Sequence, residues 1–166
     1  MVPERFKDVC LIETNLKPLK LYNINLRLRK YPFQYYIREV THKSKVNYPL
    51  RNMPTDDIHQ GKDSEVVKLL CCLIVKNLPI AYLESFKLNR INALKSYPKN
   101  PKFILTSSAY FSNELFKIWT AEKSLINKKV CISVHGAHHS TALFNHAGKF
   151  TEIISDTFFT WGWKKN

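Results

Sequence analysis

KFILT at residues 102–106 is a short apolar run, and KKVCISV at 128–134 is another. Between them SNELFKIWTAEKSLI, residues 112–126, places Leu115, Ile118, Trp119 and Leu125 on one helical face, with Ser112 as the expected cap. Strand, helix and strand at this spacing form a βαβ unit, which implies parallel strands and a right-handed crossover. DTFFTWGW, residues 156–163, is expected to hold a further short strand.

Working outward, Ser64 followed by EVVKLLCCLIVKNL predicts a capped, mostly buried helix that Pro79 ends. IAYLESFKLNRINALKS, residues 80–96, predicts a second helix paired with it. Nearer the amino terminus, CLI at 10–12 reads as a short strand. NINLRLRKY at 23–31 alternates Ile24, Leu26 and Leu28 with polar residues, as a half-exposed strand would. Three strands in the carboxy-terminal third fall short of the usual five or six. The expectation is therefore an incomplete Rossmann-like α/β domain over 63–166, preceded by a basic segment at 1–62.

The 166 residues carry 26 Lys+Arg against 13 Asp+Glu, a formal charge of +13. From Lys17 to Arg51 there are nine basic residues and one acidic one, Glu39. Such a stretch suits nucleic acid or another anionic surface, although it serves equally as a solvated face. No apolar leader or membrane-length run is present in the sequence, so a cytoplasmic location is expected. Cys10, Cys71, Cys72 and Cys131 lack metal-ligand spacing and read as buried thiols in a reducing compartment.

HGAHHS, residues 135–140, concentrates three of the chain's six histidines. His135 stands where the strand VCISV leaves the sheet, and ligands of open α/β folds bind outside the carboxyl ends of strands. Acid/base or phosphate hydrogen bonding by His135 fits that place, with Gly136 allowing close backbone approach and His138 following in the same loop. The motif matches neither HExxH nor HxxEH, so no metal is expected, and no cofactor fingerprint is found. The plain alternative is a surface loop whose histidines form ordinary hydrogen bonds. Asp156 either caps a turn before the last strand or contributes a polar group to the cleft.

Asn113-Glu114, Phe116-Lys117, Trp119 and Ala121 of the helix, His135-Gly136 of the loop, and Ser155-Asp156 with Trp161-Gly162-Trp163 together form a recognisable pattern. Residues 101–163 resemble a family of bacterial transferases of surface-carbohydrate biosynthesis that look like two-domain glycosyltransferases of the GT-B type. The resemblance implies a nucleotide-activated sugar or similar phosphate-bearing donor and a carbohydrate acceptor. It makes His135 the candidate catalytic base or phosphate ligand, and Gly136, His138 and Asp156 candidate substrate-binding residues. Val134, Ala137, His139 and Ser140 depart from the family's loop, where Gln, Gly, Tyr and Gly are expected. The resemblance thus implies half of a GT-B fold, a fragment inactive by itself, with a separate carboxy-terminal half as partner.

Overall fold

A computed structural model describes residues 8–14, 16–28, 33–35, 44–52, 65–134, 136 and 146–160. The chain divides into two compact units, one of residues 1–39 with 92–166 and one of residues 40–91. The amino-terminal strands belong to the first unit's sheet.

That sheet has five parallel strands in the order β2-β1-β3-β4-β5: β1 (Val9–Ile12), β2 (Phe33–Tyr35), β3 (Phe103–Thr106), β4 (Lys129–Ser133) and β5 (Thr157–Phe159). The three strands expected in the carboxy-terminal third are present, and CLI is β1; the expectation of an incomplete sheet is corrected because β1 lies centrally between β2 and β3 and β2 joins the same sheet. The order is that of a doubly wound α/β fold. CLI has too little length to reveal a central position; it is recognisable as central only through its pairing with residues about ninety positions away.

Strand alternation divides the two faces. Cys10, Ile12, Ile104, Val130 and Ile132 are buried and join one core with Leu115, Phe116, Ile118 and Trp119. The other face carries Leu105, Cys131 and Ser133 in a half-buried state, and Phe103 and Phe159 exposed.

The helix that supplies this core is α6 (Glu114–Ser124), the sixth after α1 (Pro18–Leu28), α2 (Tyr48–Arg51), α3 (Glu65–Asn77), α4 (Phe86–Ser96) and α5 (Ala109–Ser112). Its cap is Asn113 rather than Ser112, which ends α5; the Asn113 side chain accepts a hydrogen bond from the Phe116 N–H at 2.9 Å. Glu114 then complements the positive amino-terminal end of the helix dipole. Trp119 is completely buried, stacks on Tyr97 with ring centroids 4.8 Å apart, and donates its indole N–H to the Pro98 carbonyl at 3.1 Å. Leu125, expected on this face, follows the last helical residue and is 80% exposed.

Residues 18–28 are helical, correcting the expected strand. Pro18 suits a first helical turn, and Leu21 and Ile24, three apart, are half-buried with Asn25 beside them, whereas Leu26 of the apparent alternation is exposed. A seventh helix, α7 (His146–Ile154), precedes β5 and was not expected from the sequence. Its Thr151 is fully buried and donates to the Tyr110 hydroxyl at 3.1 Å.

In the unit of residues 40–91, α3 forms as expected but none of its residues is buried. An apolar run sets what a helix can bury, and a neighbour must still cover it. Residues 80–96 form a 3-10 turn at Ile80–Tyr82 and then α4, rather than one helix. The unit is pinned by Arg51, which donates to Glu84 through Nε at 2.6 Å and Nη2 at 2.8 Å, and to the Lys76 carbonyl through Nη1 at 2.8 Å. The Arg51 guanidinium, helped by the Asn47 backbone N–H, holds the Glu84 carboxyl at about 2. A carboxyl depressed by folding contributes stability above its unfolded value near 4.5, which disappears as pH falls towards 2. Urea midpoints measured across that window should therefore fall more steeply for the native chain than for Glu84→Gln.

Candidate functional site

Connections leaving β1 and β3 diverge at the point where the strand order reverses, and such a divergence opens a crevice at the carboxyl ends of the strands. A cleft of about 360 Å³ occupies this end of the first unit. Ser107 and Ser133 line it with hydroxyl-bearing side chains, Thr14 lines it with its own Oγ1 buried, and Leu16, Leu105, Val134 and Phe159 bring apolar surface. No charged side chain lines it among the described residues.

Each polar group is placed by a strand end. Ser107 follows β3 and Ser133 ends β4, and parallel pairing sets their hydroxyl oxygens 2.6 Å apart. The Ser107 N–H donates to the Glu13 carbonyl at 3.3 Å, joining the end of β3 to that of β1. Thr14 follows Glu13; its carbonyl accepts from the Gln34 amide at 3.3 Å, while its Oγ1 is buried without a hydrogen-bond partner. Phe159 closes the side at β5, its carbonyl accepting the Val134 N–H at 2.9 Å. Hydroxyls set among aliphatic and aromatic surface suit an uncharged ring that carries its own hydroxyls.

Of the residues predicted from the sequence, His135 and His138 lie outside the described residues, as do His139 and Trp161-Gly162-Trp163. Gly136 is described two residues after the cleft-lining Val134, and a Cβ built on it meets no atom of the described residues within 4 Å. Asp156 lies at the opposite end of the sheet, before β5 and beside the start of β4. Its carboxylate accepts the Val130 N–H at 2.8 Å and the Lys129 amine at 3.0 Å, and these two donors hold its pKa below the ordinary value. β4 is five residues long, and its rise of about 13 Å lies between its start, where Asp156 is held, and its end, which Gly136 follows.

The cysteines add no nucleophile beside this cleft. All four are outside disulfides, and Cys10 is buried while Cys71, Cys72 and Cys131 are half-buried. Burial pushes the Cys131 thiol up, away from the reactive thiolate. Among the described residues no group of three His, Cys, Asp or Glu side chains could hold a metal, and no helix is long and apolar enough to cross a membrane. Within the basic stretch at 17–51, Arg51 is committed to Glu84, whereas Arg29, Lys30, Arg38 and Lys43 lie outside the described residues.

Sequence reading missed Glu13, Thr14, Ser107 and Ser133. The usable signal was position: Glu13-Thr14 directly follows CLI and Ser107 directly follows KFILT. Serine and threonine at such ends are too common to single out before the pairing of the strands is known.

A protein-family model described as LIC12162 family transferase matches residues 2–166. No curated protein and no solved structure matches the chain. The family match takes in the amino-terminal strands as well as residues 101–163, and so includes all five strands and every described residue of the cleft. The chain belongs to the LIC12162 family of transferases.

Proposed function

We propose that this chain provides one wall of a group-transfer site of the glycosyltransferase kind, in which a nucleotide-activated sugar or similar phosphate-bearing donor meets a carbohydrate acceptor of surface-polysaccharide biosynthesis. The observation that carries the reading is the ring-sized cleft at the strand ends, with Thr14, Ser107 and Ser133 among apolar walls. A sugar ring presents hydroxyls at its rim and C–H surface on its faces, matching that mixture. In this reading His135, next along the chain from Val134, serves as base or phosphate ligand; Gly136 and His138 contact substrate beside it. Asp156, committed to the start of β4, acts through the sheet.

Transfer requires donor and acceptor to be held together, and the resemblance to two-domain enzymes assigns part of that task to a facing second half. The chain by itself is then expected to bind a sugar ligand without turning it over. Calorimetric titration with UDP-glucose tests the reading. Saturable binding should weaken by about tenfold in Ser133→Ala or Phe159→Ala, equivalent to about 1.4 kcal/mol. Binding that both variants leave unchanged would refute the assignment of this cleft.

A further inference from the structure

We infer that Glu13 is a positioning residue: its carboxylate clamps the end of β1 to the loop after β3 and so sets the spacing of the cleft hydroxyls. This rests on the reading of the cleft as the ligand site, which it deepens.

Two independent features single out Glu13. Its backbone lies in the left-handed region at φ 45°, where glycine is at ease and a side chain is disfavoured. Non-glycine residues persist in such conformations when the surrounding structure holds them there, often at functional sites. Glycine would make the same turn without strain, so the Glu side chain calls for a reason of its own.

The second feature supplies it. One carboxylate oxygen accepts the Asn113 Nδ2–H at 3.1 Å, and the other accepts the Ser108 hydroxyl at 3.4 Å. That hydroxyl is shared with the Glu13 carbonyl, also at 3.4 Å, and the same carbonyl takes the Ser107 N–H. These bonds span about a hundred residues of sequence and cross the crevice between β1 and β3. The residues they fix are neighbours of cleft groups: Thr14 follows Glu13, and Ser107 precedes Ser108. Glu13 itself does not line the cleft, so its influence passes through those neighbours.

Glu13→Gly, Glu13→Ala and Glu13→Gln separate the clamp from the turn. Glycine keeps the left-handed turn and deletes only the carboxylate; alanine deletes it and retains the strain; glutamine keeps an oxygen for Asn113. Glu13→Gly should leave the melting temperature near that of the native chain, because strain relief offsets the lost bonds. It should still bind UDP-glucose about tenfold more weakly and exchange the Ser107 amide about tenfold faster. Glu13→Ala should show the same losses with a lower melting temperature, and Glu13→Gln should bind within about threefold of the native chain.

Native affinity in Glu13→Gly would overturn the inference. Should the native chain fail to bind UDP-glucose, the proposed function fails by itself. Ser107 exchange then decides the clamp: acceleration in Glu13→Gly supports it, and unchanged exchange overturns it.

Discussion

Trp119→Ala is expected to cost about 3–5 kcal/mol of stability, a large part of what a domain of this size possesses. The indole is completely buried, stacked on Tyr97 and tilted against Phe116 with centroids 6.1 Å apart. Alanine leaves a cavity between α6 and the sheet and also strips the Pro98 carbonyl of its donor. Urea unfolding measures the loss, and Leu125→Ala just after the same helix, 80% exposed, should change stability by less than about 0.5 kcal/mol. Equal midpoints for the two variants would show that the core is not organised around Trp119.

The second large effect is expected at Asn113, where fold and site meet. Its Oδ1 caps α6 through the Phe116 N–H and accepts from the Tyr97 hydroxyl at 3.3 Å, while its Nδ2 donates to Glu13. Asn113→Ala removes all three bonds in a buried place, at a cost of about 2 kcal/mol. Asn113→Asp retains an acceptor for the cap but turns the contact with Glu13 into a meeting of two carboxylates. The introduced aspartate is expected to have a raised pKa in the folded state, so Asn113→Asp should lose stability relative to the native chain as pH rises to neutrality and recover as it falls through the carboxylate range. Urea midpoints at pH 7 and pH 4 check this; a deficit independent of pH would remove Glu13 from the account.

Much of the fold could be read from local pattern. KFILT, the helix bearing Trp119 and KKVCISV are long or periodic enough to declare their type, and their order implies the parallel crossover. Residues 18–28 misled because Ile24, Leu26 and Leu28 satisfy a two-residue period over a span too short to exclude helical spacing. The completeness of the sheet was hidden for a different reason: β1 has four residues and β2 three, and what makes them part of one sheet is pairing with distant partners. The candidate site shows the same division. HGAHHS drew attention through its composition and its place after β4, whereas Glu13, Ser107 and Ser133 acquire meaning only once the ends of β1, β3 and β4 lie side by side. Asp156 looked like a cleft residue because the motif around it follows the loop in sequence, yet parallel geometry returns the chain to the far end of the sheet before β5 begins.

The cleft at the carboxyl ends of the strands is the proposed seat of the sugar-bearing ligand. Backbone amide shifts of the native chain, followed by nuclear magnetic resonance while UDP-glucose is added, test it most directly. Saturable changes are expected to concentrate at Thr14, Ser107, Ser133, Val134 and Phe159, with Val130 and Asp156 at the other end of β4 and β5 little affected. Saturable changes centred on Val130 and Asp156, with the cleft residues unmoved, would contradict it.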